Sequence, residues 1–339
     1  MILNFWVLSQ LLGLAVVLLL SIYAALQGIR ILLRWRPGSA TEEQLELEKR
    51  SYLVSTLVQY ALAFQVLSLL LFVATADYLA GFISGAMCAF GSLNANDYGF
   101  RALAVKIAAI FAYSSWLVIN YLDSRAVDYP LVKQKYALLL LLLPLLIADI
   151  YLEVRFYTGI KADVITSCCG SVLRSLDNPY GFVAMRFPGE LAMLLFFGSV
   201  SAAVVLHLVH LRTSRLAFPA GLASLAAFLT SLLAMFTFLS PYFNVVLFGL
   251  PTQHRCPFEV LRSPAVGYTL YALIFTAGVA GSMVALAELL KRKNSLREDA
   301  TKLQRTLARL ALAASAGSLI LSLAFMLFFY SVVGTIFYH

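Results

Sequence analysis

The segment FWVLSQLLGLAVVLLLSIYAALQGIRILL, Phe5 to Leu33, carries no charge before Arg30 and no proline. A helix needs roughly 20 apolar residues to cross about 30 Å of hydrocarbon, so this run spans with residues to spare. It is too long for a signal-peptide core and lacks a basic flank before it, and is therefore expected to be a retained first helix. Seven further segments meet the same requirement: Tyr52 to Leu79, Ala102 to Leu122, Tyr136 to Leu152, Gly189 to Leu211, Leu216 to Leu239, Val266 to Leu290 and Leu307 to Phe337. None alternates apolar and polar residues as a barrel strand does. The predicted fold is an all-α polytopic membrane bundle of about eight helices, a single integral membrane domain over residues 1–339.

Composition agrees. Hydrophobic residues make up 61% of the chain and charged ones 12%, with a mean hydropathy of +0.86, well outside the range of soluble domains. Lys and Arg set the expected orientation, because basic residues stay in the cytoplasm. Of the 25 basic residues, 17 fall at or beside segments 34–51, 123–135, 212–215 and 291–306, which are therefore predicted to be cytoplasmic. Both termini and the connections 80–101, 153–188 and 241–265 then lie outside. The expected home is a bacterial or archaeal cytoplasmic membrane, with lipid as the first partner. The net charge of +8 suits an anionic leaflet, and no basic stripe interleaved with aromatics points to nucleic acid.

Inside the predicted cytoplasmic connections, Pro37-Gly38 makes a turn and Thr41 is placed to cap a helix opening with Glu42 and Glu43. Ser295 and Glu298 have capping-box spacing before the last span. Pro241 is expected to interrupt the sixth span, leaving Tyr242 to Leu250 too short to cross again.

The outer connections hold all four cysteines, Cys88, Cys168, Cys169 and Cys256. In an oxidising compartment, disulfides form and persist, and four cysteines allow three connectivities. Three readings follow: permanent staples between loops, a thiol relay centred on Cys168 and Cys169, and a soft-metal site. Cys256 has Arg255 beside it and His254 two residues away, a setting that favours the thiolate, so it is the expected attacking thiol. Pro251 and Pro264 bound a stiff loop around it. For metal, Cu(I) suits thiolate, thioether and imidazole, which makes Cys88, Cys168, Cys169, His254 and Cys256 the candidate ligands, although zinc spacings are absent.

Two cysteine loops rhyme. Cys88 to Phe100 reads CAFGSLNANDYGF and Cys168 to Phe182 reads CCGSVLRSLDNPYGF. Asp77 and Asp149 stand at similar places upstream, which suggests a parallel internal duplication. Asp77 and Asp149 are the candidate proton-handling carboxylates for thiol exchange, and Lys106 or Arg155 is an available counter-charge. These residues, with Glu153 and Glu190, are expected near the outer interface, within reach of water. His207 and His210, three apart, are weak candidates for haem or metal, with snorkelling toward headgroups as the simpler reading.

Outer-face cysteines on a helical bundle resemble the arrangement of quinone-linked membrane thiol oxidoreductases such as the vitamin K epoxide reductase family. The C-x-x-C of that chemistry is missing, since Glu259 stands where a second cysteine would follow Cys256. The expected activity is thiol/disulfide exchange with an extracytoplasmic redox protein, electrons passing to quinone or a partner. The alternatives are copper handling, served by a metallochaperone, and a stapled scaffold without catalysis. A carrier is disfavoured by the lack of a charge ladder and of mid-span breakers apart from Pro144. Serine-hydrolase, P-loop and dinucleotide signatures are absent.

Overall fold

The computed structural model describes residues 4–36, 41–126, 128–160, 187–251 and 255–335. The described residues form helices and connections, with no strand among them. Eight helical segments are long and apolar enough to cross a membrane, and the chain is an integral membrane protein. Only intrasegment hydrogen bonding satisfies a backbone in hydrocarbon, so the apolar runs become helices.

The chain forms two compact units. The first holds α1 (Phe5–Arg34), α2 (Glu42–Ala80), the short α3 (Ala89–Leu93), α4 (Gly99–Asp123) and α5 (Val132–Gly159). Helix α1 packs on α2 and α5, and α4 packs on the same two, so the four long helices close a ring. The buried positions of α1 include Val7, Gln10, Leu14, Val17, Ser21, Ala24, Gly28 and Ile31. They alternate three and four apart, the seam of a left-handed bundle. Leu12, Val16 and Leu19 face outward, the surface that lipid covers. Thr41 caps α2, its hydroxyl accepting from Gln44 N–H, and Glu42 and Glu43 occupy the first turn, as expected.

The second unit holds α6 (Gly189–Thr213), α7 (Ala217–Ala234), α8 (Ser240–Phe248), most of α9 (Pro264–Leu290) and most of α10 (Arg297–Val333). Glycines bring its helices close: a Cβ at Gly221 would press on Ala285, and one at Gly278 on Phe228. Phe243 stacks on Phe325, joining α8 to α10.

Two expected boundaries move. The sixth span does not break at Pro241. A π-helical turn, Met235–Leu239, runs into α8, and the span continues to Phe248. The wider turn absorbs the missing proline N–H, and the Ser240 hydroxyl donates to the Met235 carbonyl. Helix α5 runs past Leu152 to Gly159, because Phe156 and Tyr157 are buried side chains that continue its inner face. Glu153 therefore lies in a helix and not in an outer loop.

Gly99 opens α4 against the end of α3, where a Cβ would collide with the Leu93 backbone. Gly99→Ala should lower the unfolding temperature in detergent, overpacking of this kind costing about 1–3 kcal/mol. Gly198→Ala, at a helical glycine with open space around it, should be neutral or slightly stabilising.

Candidate functional site: one lysine and two buried carboxylates

Asp149 and Glu153 are four residues apart on α5 and so share one face. That face meets α4 at Lys106. The Lys106 ammonium lies 2.6 Å from Glu153 Oε2 and 3.3 Å from Asp149 Oδ1, and all three side chains are at most 1% exposed. The ammonium also donates to Ser68 Oγ of α2 at 3.1 Å and stands 5.7 Å from the centre of the Phe72 ring. Sequence reasoning placed these groups at a watered interface. The structure puts them inside the ring of helices, because α5 is longer than its apolar run and turns both carboxylates inward.

Further polar groups hydrogen-bond one another on the Glu153 side. Gln10 of α1 donates to the Ser68 carbonyl at 3.4 Å. Its amide oxygen accepts from Thr75 and Tyr157, each at 3.1 Å. Gln10, Thr75 and Tyr157 are all buried. These residues gave no sequence signal beyond being polar on the α1 seam or beside an apolar face.

Charge count sets this site apart. Two carboxylates and one ammonium sum to −1, and a net charge away from water costs several kcal/mol. One further proton on a carboxyl brings the site to zero. Lys135, also buried, pairs with Asp123 at 2.8 Å, its one carboxylate partner among the described residues. The second Asp123 oxygen accepts from Leu131 N–H, and Trp116 donates to the Lys135 carbonyl. That pair is neutral and locks the α4–α5 connection. It has nothing to exchange.

The two aspartates aligned by the loop rhyme do different work. Asp77 accepts from Ala89 N–H at 2.9 Å and so anchors α3, whereas Asp149 faces Lys106. Cys88 begins α3 and is 2% exposed. Arg155 lies at the other edge of this region and donates to the Tyr98 hydroxyl at 3.1 Å. Glu190 is exposed in the first turn of α6, where the helix dipole favours it. Cys168, Cys169 and the second rhyming loop lie outside the described residues, as does His254.

In the second unit Cys256 is fully buried. Asn244 of α8 donates to its carbonyl at 3.2 Å, and Tyr271 of α9 donates to the Pro257 carbonyl at 2.9 Å. The buried Glu259 carboxylate comes within 4.8 Å of the Cys256 sulfur and pairs with Arg262 at 2.5 Å. No disulfide is formed among the described residues.

His207 and His210 do not snorkel. They are 0% and 2% exposed. His207 Nε2 is 2.8 Å from Ser224 Oγ, and His210 Nδ1 donates to the Arg215 carbonyl at 3.0 Å. The apolar runs around them carry both rings into the helix contacts, where Gly281 leaves room beside Ser224 and His207.

Compared with known protein families, curated proteins and solved structures, the chain matches none.

Lys106→Met leaves two carboxylates buried without their cation, and should destabilise the protein by about 3–5 kcal/mol. Adding Asp149→Asn and Glu153→Gln removes the stranded charge and should restore most of the loss, read by thermal unfolding in one detergent.

Proposed function

We propose that this is a proton-linked membrane protein, in which the Lys106, Asp149 and Glu153 site takes up and releases one proton as the protein works. The observation that carries the reading is the pairing of one buried ammonium with two buried carboxylates. Ionisable groups at membrane depth are functional candidates by default, and this site reaches neutrality only by holding an extra proton. Glu153, at 2.6 Å, is the closer partner of Lys106. Asp149, at 3.3 Å, is assigned the exchangeable proton. The distribution of basic residues supports a cytoplasmic-membrane location with the Asp77 end of the first unit outside.

A second reading, thiol/disulfide exchange at the outer face, is favoured by one specific contact. The buried Glu259 carboxylate lies within 4.8 Å of the Cys256 sulfur, in reach to take the thiol proton through a small shift or one water. Cys256 would attack, Cys168 and Cys169 would form the central pair with Cys88 beside them, and Asp77 would hold its loop. Electrons would leave to quinone or a partner redox protein. The same sulfurs serve the copper reading, and stapled loops serve the scaffold reading.

Protein in nanodiscs titrated with a pH-indicator dye between about pH 5 and pH 9 should bind one more proton than Asp149→Asn. Equal uptake by the two proteins would remove the proton reading.

For the cysteines, differential alkylation and mass spectrometry before and after mild reductant should find a readily reduced pair that includes Cys168 or Cys169. Bonds that resist mild reductant would favour the scaffold. Stoichiometric copper lost on Cys256→Ser would favour metal handling.

A further inference from the structure

The polar surroundings of the buried site are lopsided. Toward the Asp77 end, the Gln10 amide nitrogen donates to the Ser68 carbonyl and its oxygen accepts from Thr75 and Tyr157. Toward the Asp123 end, both amide atoms of Gln65 and the hydroxyl of Tyr113 have no hydrogen-bond partner among the described residues. Their residues are 2% and 1% exposed.

Register places both groups beside the site. Gln65 is three residues from Ser68, one turn toward the Asp123 end of α2. Tyr113 is seven residues, two turns, from Lys106 on the inner face of α4. Helical side chains lean toward the N-terminus, so the Tyr113 ring leans back toward Lys106. Asp149 itself is one turn nearer the Asp123 end than Glu153.

An unmet amide or hydroxyl in a protein interior costs roughly 1–3 kcal/mol. Ordered water with two to four polar partners removes that cost. Gln65 offers donors and an acceptor, Tyr113 a donor and an acceptor, and Asp149 an acceptor, which is a complete set for one bound water or two.

We propose that Gln65 and Tyr113 hold water against Asp149, and that this water is the route by which the site exchanges its proton, from the Asp123 side. The inference rests on the proton reading above and adds a ligand and a direction to it. In release, the O–H bond of the Asp149 carboxyl breaks and its proton passes to the bound water. That water hands one of its own protons to the next water toward the Asp123 end. Asp149 is left as a carboxylate facing Lys106, and nothing is oxidised or reduced. Uptake is the reverse. On the opposite side Gln10, Thr75 and Tyr157 already hydrogen-bond one another, and so are less free to relay.

The test is stopped-flow pH-jump kinetics on nanodisc-embedded protein, with a pH-indicator dye as the probe. Gln65→Leu and Tyr113→Phe each remove the polar group without adding bulk. Both should slow proton uptake by about tenfold or more, while the number of protons bound stays at the wild-type value. Thr75→Val, on the opposite side, should leave the rate within about twofold of wild type. Wild-type rates in both Gln65→Leu and Tyr113→Phe, or a slowing confined to Thr75→Val, would overturn the route and leave the proton site standing. Loss of neither amplitude nor rate in Asp149→Asn would overturn the site and the route together. Unfolding temperature gives a second check: dry orphan groups predict that Gln65→Leu is more stable than wild type, and bound water predicts that it is not.

Discussion

A lysine that faces two carboxylates away from water constrains the whole first unit. Each ion taken from water loses several kcal/mol of hydration even after relaxation, and Coulomb attraction recovers it only when geometry and hydrogen bonds are close to ideal. The ammonium of Lys106 therefore has three oxygens near it, from Asp149, Glu153 and Ser68. Those oxygens come from α5 and α2, which flank α4 in the ring. Closing the ring is what brings them together. Gln10 of α1, the fourth member, is drawn in through the Ser68 carbonyl. Apolar packing along Leu14, Val17, Val58, Leu62, Leu142 and Leu146 supplies the wall, and in lipid that packing depends on fit more than on water exclusion.

Lys106 and Lys135 show how the same chemistry yields different outcomes. Lys135 and Asp123 balance, and the loop backbone and Trp116 take up their remaining capacity. Such a pair holds a connection in place, and adding or removing a proton would unbalance it. Lys106 is overmatched by its carboxylates, so a proton added there improves the balance. Stability and proton affinity are thus set by the ratio of partners, which a count of buried charges alone would miss.

The membrane architecture was legible in the sequence because apolar length has one physical meaning in lipid. All eight spans were recoverable from it, and Thr41 marked the start of α2. Pro241 does not end its span, because a π-helical turn lets the helix continue, a device invisible to any rule about single residues. The ionisable groups of the site were legible as residues and not as a site. Asp149, Glu153 and Lys106 could be named from their place at the ends of apolar runs, but burial depends on how far α5 continues beyond Leu152. Aromatic Phe156 and Tyr157 decide that by packing inward. Gln10, Gln65, Ser68 and Tyr113 were silent, since each becomes meaningful only when the ring sets it facing a neighbour.

Cysteine chemistry and the proton site ask opposite things of their surroundings. A thiol that attacks a disulfide needs both thiolate character and access, and burial works against each. Cys256 is buried and held through its backbone by Asn244, with Glu259 as its near carboxylate. Glu259 is itself tied to Arg262. Exchange at Cys256 therefore requires the sulfur to become exposed. The proton site needs no such opening, because a proton moves by rearranging hydrogen bonds among groups already in place. Of the two chemistries, proton exchange is the one that the packed form of this protein supports as it stands.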